Sequence, residues 1–236
     1  MADRHRLTDV LVESARTLVS HYRVDETLQR LCDATMEVLP VSGAGVMLED
    51  EQGALRFVVA SDEQIREIER LQIELGEGPC LHAYASGEQV LVRDLAAEER
   101  FPRFGPKALG AGLRGVFSFP MQHADDRVGA LNLYSAEPLA FTAEDRVAGQ
   151  VLADLATATI LNARELEQSH QLASQLQRAL DTRVVIEQAK GVLAERHGIS
   201  VGAAFERLRR AARNSQRRVH DVARDVVAGR RDIAGL

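Results

Sequence analysis

Gly115-Val116-Phe117-Ser118-Phe119-Pro120 and Val128-Gly129-Ala130-Leu131-Asn132-Leu133-Tyr134 flank the polar turn Asp125-Asp126-Arg127. Two short apolar runs on either side of such a turn read as an antiparallel hairpin. Working outward, residues 44–49 and 55–60 read as a second strand pair, joined through Asp50-Glu51-Gln52-Gly53, and residues 89–92 as a further strand. Residues 7–20 and 25–39 carry apolar positions at helical spacing. In the second of these, Leu28, Leu31, Cys32, Met36 and Leu39 form one stripe, which Pro40 stops. Residues 62–73 read as a short charged helix and residues 81–86 as another, with the breaker cluster Gly76-Glu77-Gly78-Pro79 between them. Residues 94–110 read mostly as loop, with a short helix near Lys107, and beyond Thr142 the pattern turns helical. Strand pairs joined by short turns, with helices before and after, define an α+β domain on an antiparallel sheet.

Composition bounds the function. The chain has 236 residues, 45% hydrophobic and 27% charged, as in an ordinary globular protein of one or two domains. Disordered and collagen-like classes are excluded. Two cysteines, Cys32 and Cys80, are too few and too far apart for a disulfide scaffold or a cysteine-rich zinc module. No apolar run approaches a membrane span, and the polar first six residues do not open a signal peptide, so the expected location is cytoplasmic. The net charge of −6 argues against a nucleic-acid binder. That mean hides a split: residues 1–177 carry net −12 and residues 178–236 net +6. An acidic body is joined to a basic tail of folded-domain composition.

The tail reads as three short amphipathic helices. Residues 181–197 place Val185, Ile186, Ala189, Val192 and Leu193 on one face, and Gly198 ends the run. Ser200 is a good N-cap for residues 201–213, where Val201, Phe205, Leu208 and Ala212 share a stripe. Residues 217–228 carry Val219, Val222, Ala223, Val226 and Val227. At 100° per residue, Arg207, Arg210 and Arg217 point away from the stripe of the middle helix, and Arg209 and Arg213 flank it. Glu206 is the one nearby counter-charge in that helix. The arrangement reads as a cationic surface rather than a set of core ion pairs.

Two families resemble these segments. Gly76-Glu77-Gly78-Pro79-Cys80, Val90-Leu91-Val92-Arg93-Asp94, Phe119-Pro120-Met121, the Val128–Tyr134 run and Phe141-Thr142-Ala143-Glu144-Asp145, in this order, resemble a GAF domain, a small-molecule sensor fold. The tail strings Thr182-Arg183-Val184-Val185-Ile186-Glu187-Gln188-Ala189-Lys190-Gly191-Val192-Leu193, Ala203-Ala204-Phe205-Glu206-Arg207-Leu208-Arg209-Arg210-Ala211-Ala212 and Val222-Ala223-Arg224-Asp225-Val226-Val227 resemble the ANTAR domain. That family is a three-helix RNA-binding module acting in transcription antitermination, and its pairing with GAF is typical of signal-responsive regulators. The resemblance implies an N-terminal helix at 1–20, a sensor at 21–165, a helical linker at 150–180 and an RNA-binding domain at 175–232.

Within the tail, Ile186, Ala189, Leu193, Phe205, Leu208, Ala212 and Ala223 read as core. Gly191 sits inside a helix at a cost of about 1 kcal/mol relative to Ala. A close helix–helix or backbone–RNA approach would account for it. Lys190, Arg207, Arg209, Arg210, Arg213 and Arg217 are the candidate RNA contacts, since arginine pairs with phosphates and stacks on splayed loop bases.

The joint at 147–181 reads as one long helix. A heptad with Leu152, Thr159, Leu166, Ala173 and Leu180 at a, and Leu155, Asn162, Ser169 and Leu176 at d, gives a seam apolar at its ends and weak between. It reads either as a solvated spacer or as a marginal parallel coiled coil that dimerises the protein.

Other signals are rejected. Gly110-Ala111-Gly112-Leu113-Arg114-Gly115 matches GxGxxG but lacks the strand before and helix after that the dinucleotide fingerprint requires. His123, Asp125 and Asp126 fit a hairpin turn better than a metal site. No catalytic motif is present, so no catalytic or metal residue and no cofactor is named. Cys80, His82, Asn132 and Tyr134 are candidate sensor-pocket residues, with Cys80 read as packing or as a redox or ligand group. The sequence therefore predicts a signal-responsive, RNA-binding antiterminator acting as a homodimer on mRNA hairpins, with a small-molecule ligand as candidate signal. The alternative is a DNA-binding transcription factor that uses the C-terminal helices.

Overall fold

The computed structural model describes residues 2–17, 23–50, 52–124 and 126–230. Contacts divide the chain into two units, Met1–Arg164 and Glu165–Leu236.

The first unit opens with helices α1 (Arg4–Thr17) and α2 (Val24–Val38), followed by strands β1 (Gly43–Glu49) and β2 (Leu55–Ala60). Helices α3 (Glu63–Leu75) and α4 (Pro79–Ser86) precede strand β3 (Val90–Val92). A 3₁₀ turn at Leu95–Ala97 and helix α5 (Phe104–Gly110) occupy the segment expected to be mostly loop. Strands β4 (Gly115–His123) and β5 (Asp126–Ser135) complete an antiparallel sheet of order β2-β1-β5-β4-β3. The expected hairpin is the β4–β5 pair. Residues 18–20 of the first predicted helix, Glu51 and Asp125 lie outside the described residues.

Both sheet faces are covered. Leu28, Leu31 and Cys32 of α2 pack with Phe117, Phe119, Leu131 and Leu133 of the central strands and with Leu152, Ala153, Ala156 and Ile160 of helix α6 (Ala143–His197). On the other face, Ile65 and Ile68 of α3 and Phe104 and Ala108 of α5 pack against Ala60, Val90, Val116 and Tyr134. β5 is therefore buried along its last eight residues, with no polar-out alternation. α6 begins with a reciprocal cap. The Thr142 amide and hydroxyl donate to the Asp145 carboxylate at 2.8 Å, and the Asp145 amide donates to Thr142 Oγ1. The Ala2 amide donates to the same carboxylate, which ties the start of the chain to this turn.

α6 corrects the expected organisation. The segment 181–197 is not a separate short helix but the end of α6, which runs unbroken from Ala143 to His197. The physical reason is local: no glycine or proline stands between Gly149 and Gly191, so nothing interrupts the hydrogen-bond ladder. Its heptad seam is also shorter than expected. Leu152 and Thr159 are buried in the core of the first unit and Leu155 packs against it, whereas Leu166, Leu172, Leu176 and Leu180 are exposed.

The second unit holds the end of α6, helix α7 (Val201–Asn214) and helix α8 (Val219–Val227). Gly198, at φ +60°, ends α6 in the left-handed conformation that favours glycine. The Ser200 hydroxyl then accepts from the Ala203 amide at 3.2 Å and starts α7. Ala189 and Leu193 of α6, Ala204, Leu208, Ala211 and Ala212 of α7, and Val222, Ala223 and Val226 of α8 enclose one core.

Candidate functional site

The basic face of α7 follows from its amphipathic period. With Ala204, Leu208 and Ala211 turned inward, Arg209, Arg210 and Arg213 are exposed and Arg207 is half-buried. Among the described residues no acid pairs with Arg207, Arg210, Arg213 or Arg218. The other cations are paired. Lys190 contacts the Glu187 carboxylate at 2.8 Å and Arg209 contacts Glu206 at 3.1 Å. Arg217 falls beyond the end of α7 and pairs with Asp225 at 2.8 Å. Arg217 and then Arg230 hold the Asp225 carboxyl below the usual carboxylate range. Glu206 is thus one of three counter-charges near the candidate contacts, because Glu187 lies a turn before Lys190 and α8 brings in Asp225.

Two residues expected in the core lie outside it. Phe205 is half-buried, because its ring sits under two cations: Lys190 Nζ is 5.6 Å and the Arg209 guanidinium 5.9 Å from the ring centre. Gly191 is exposed, and a methyl group added there would meet no atom within 4 Å. No helix approaches it from within the described chain. Ile186 packs half-buried against the core, while Ala189, Leu193, Leu208, Ala212 and Ala223 are enclosed.

In the first unit the structure gathers three of the four candidate pocket residues, together with two that sequence reasoning missed. Asn132 and Tyr134 of β5 face α3 and α4, where they meet Glu69 and Gln72. Asn132 Nδ2 donates to both carboxyl oxygens of Glu69, each at 3.0 Å. The Tyr134 hydroxyl also bonds Glu69 and receives Gln72 Nε2 at 3.0 Å. Gln72 Oε1 accepts the Cys80 amide at 3.0 Å, which fixes the first turn of α4. All five residues are fully buried. His82 is not among them. It lies on the far side of α4, edge-on to Phe101 at 6.2 Å. Residues 80 and 82 lie 200° apart on a helix, so one helix cannot aim both inward.

Glu69 is the unusual group. Burial pushes its carboxyl up to about 8, against the hydrogen bonds from Asn132 and Tyr134, which favour the ionised form. Burial likewise pushes the Cys80 thiol and the Tyr134 hydroxyl well above their usual values. Cys80 is therefore an enclosed, protonated thiol, which fits packing and not nucleophilic chemistry. One signal for Glu69 stands in the sequence: Ile65, Ile68, Glu69 and Gln72 are spaced i, i+3, i+4 and i+7, so both polar residues share the apolar stripe of α3. Their partners across the layer are glycines. A side chain at Gly45 would strike the Glu69 carboxyl, and one at Gly78 would strike Gln72. Among the described residues no group of three His, Cys, Asp or Glu is placed to hold a metal ion.

A sensor-type α+β fold with a polar cluster inside it, followed by a helical unit with a bare arginine face, defines a regulator built from an input and an output module. The GAF domain model matches residues 21–161, and the ANTAR domain model matches residues 174–227. The chain belongs to the GAF domain family, and its GAF domain is followed by an ANTAR domain. The search of curated proteins found no significant match. Among solved structures, the GAF domain from a phosphoenolpyruvate-protein phosphotransferase of Coxiella burnetii is similar at TM-score 0.56 and 17% identity. The match covers 70% of this chain and 98% of that one. The corresponding Acinetobacter GAF domain gives TM-score 0.54 and 16% identity, covering 70% and 97%. Free methionine-R-sulfoxide reductase from Neisseria meningitidis gives TM-score 0.53 and 17% identity, covering 70% and 96%. Likeness at these identities shows the fold alone. The two domains make the chain a regulatory protein: ANTAR implies RNA-binding antitermination and GAF implies signal sensing. Among the described residues no helix is long and apolar enough to cross a membrane.

Proposed function

We propose that this protein is a signal-responsive antiterminator whose sensor, residues 21–165, controls dimeric binding of residues 175–232 to hairpins in mRNA. The observation that carries the reading is the arginine set Arg207, Arg210, Arg213 and Arg218, which lacks acidic partners among the described residues. Unpaired guanidiniums on one helical face supply phosphate contacts and flat surfaces for unstacked loop bases. Lys190, Arg209 and Arg217 join them by exchanging a carboxylate partner for a phosphate.

The dimer is supported by α6. Leu166, Ala173 and Leu180 at a and Leu176 at d are all exposed within one helix, a seam that pairing with a second copy would cover. Two adjacent ANTAR domains then match two hairpins. The sensor pocket is the interior cluster of Cys80, Asn132 and Tyr134 with Glu69, and α6 is the covalent link through which its state reaches the RNA-binding helices.

The test is Lys190→Ala with Arg210→Ala, measured as hairpin-RNA affinity against salt concentration. The double variant is expected to bind more weakly, with a salt slope reduced by about one for each phosphate that a cation no longer neutralises. Unchanged affinity and slope overturn the site. Duplex DNA outcompeting hairpin RNA at matched salt overturns the choice of nucleic acid.

A further inference from the structure

Two polar atoms in the GAF sheet are enclosed and have no partner, Asn132 Oδ1 and Ser118 Oγ. Their residues pair directly across β5 and β4, so both side chains project from the same face. The next position in that row is Gly45 of β1, paired with Asn132, and its missing side chain admits the Glu69 carboxyl. The row thus gathers acceptors: both Glu69 oxygens, the Asn132 amide oxygen and the Ser118 hydroxyl. Among the described residues no cation faces them. The titratable and polar groups packed around Glu69 are Asn132 and Tyr134 of β5, Gln72 of α3 and Cys80 of α4, with Cys32 of α2 near enough to feel its charge.

We propose that the row Glu69, Asn132, Ser118 is a binding site for a small primary amine, held as its ammonium with one N–H directed to each side chain. The proposal rests on the reading of this domain as a sensor and names the chemical class of its ligand. An ammonium offers three donors and no acceptor, which matches a row rich in acceptors. An anionic ligand would add like charge to a carboxyl already buried without a cation. A neutral alcohol offers one donor and leaves the other acceptors orphaned.

In the ligand-free protein a proton takes the place of the cation. With its carboxyl pushed up to about 8 by burial, Glu69 is neutral at pH 7. When an ammonium binds, Glu69 gives its proton to solvent and a carboxylate–ammonium pair forms, so charge and protons balance. Observed affinity then rises about tenfold per pH unit until about pH 8 and levels off above it.

The experiment is calorimetric titration of the full chain with ethylammonium at pH 7, in two buffers of different ionisation enthalpy, with ethanol and potassium as controls. Saturable binding of ethylammonium with release of about one proton is expected, with no binding of ethanol and no competition by potassium. Glu69→Gln is expected to abolish binding while keeping the wild-type circular dichroism spectrum, and Ser118→Ala to weaken it several-fold. Absence of saturation, saturation without proton release, equal competition by potassium, or full binding by Glu69→Gln each overturns the proposal. Hairpin-RNA binding by the same preparation is scored separately. RNA binding without amine binding sinks the amine site alone, and amine binding without RNA binding sinks the RNA reading alone.

Discussion

Lys190 of α6 holds its ammonium 5.6 Å from the ring centre of Phe205 on α7, while its Nζ also contacts the Glu187 carboxylate at 2.8 Å. With Arg209 over the same ring, the one aromatic side chain of the basic tail orients two candidate RNA contacts. Replacing Phe205 by Leu keeps apolar volume and removes the π face. Each cation–π contact at an exposed site is worth about 0.5–1 kcal/mol. Phe205→Leu is therefore expected to lower hairpin-RNA affinity by about 3- to 10-fold in a filter-binding or anisotropy titration, with the helical spectrum retained. Wild-type affinity would show that the ring does not position these cations for RNA.

Gly191 is exposed within α6 and has open space around it. Ala at this position gains about 1 kcal/mol of helix propensity with nothing to clash against. Gly191→Ala is expected to stabilise the C-terminal unit in thermal denaturation and, at the same time, to weaken RNA binding, because the missing side chain leaves backbone for RNA to approach. A stabilised variant with unchanged RNA affinity would assign the glycine no role in recognition.

The exposed stretch of α6 carries its own prediction. Leu176 and Leu180 are each more than half exposed, at 57% and 56%. Leu176→Glu with Leu180→Glu places charge in the proposed seam and touches no core of either unit. Sedimentation equilibrium is expected to show a dimer for the natural chain and a monomer for the variant, with RNA affinity falling alongside. A monomeric natural chain at working concentration contradicts the dimer.

Glu69 makes stability depend on pH with a definite sign. Its carboxyl titrates near 8 in the fold and near 4.5 when free, so between these values the folded chain holds a proton that the unfolded chain has lost. Stability therefore falls as pH rises from about 4.5 to about 8 and is level above that. Asp94 acts in a different window, because Arg114 lowers it to about 2 and its contribution is lost only in strong acid. Urea unfolding at pH 5, 6.5 and 8 is expected to show a declining midpoint for the natural chain and a nearly flat one for Glu69→Gln. Equal slopes in the two proteins would place the titrating group elsewhere.

Much of the architecture was legible in local signals. Gly198 and Ser200 mark a helix stop and start that the structure reproduces, because φ +60° and an amide-accepting hydroxyl are properties of single residues. The strands at 115–123 and 126–135 follow from apolar runs around one turn. What was not legible was which partner each surface meets. Asn132 and Tyr134 alternate with Leu131 and Leu133, but with both sheet faces covered, alternation alone does not say which pair meets polar groups. The continuity of α6 through residue 181 was obscured because a helix that leaves one core and enters another changes its apolar face along the way.

By itself, the sequence determined a regulator in two parts: an acidic α+β input domain, and a basic helical output domain whose arginines exceed its acids. Charge balance, helical period and capping residues act over a few positions, so they can be read without coordinates. Only the tertiary structure decided that Glu69 lies inside. A carboxyl is buried only where distant residues supply room and hydrogen bonds. Here Gly45 supplies the room and Asn132 and Tyr134 supply the bonds, from strands far from α3 in the chain. The same holds for the bare arginines of α7, since the α6 and α8 acids, Glu187 and Asp225, reach Lys190 and Arg217 and leave Arg207, Arg210 and Arg213 unpaired among the described residues.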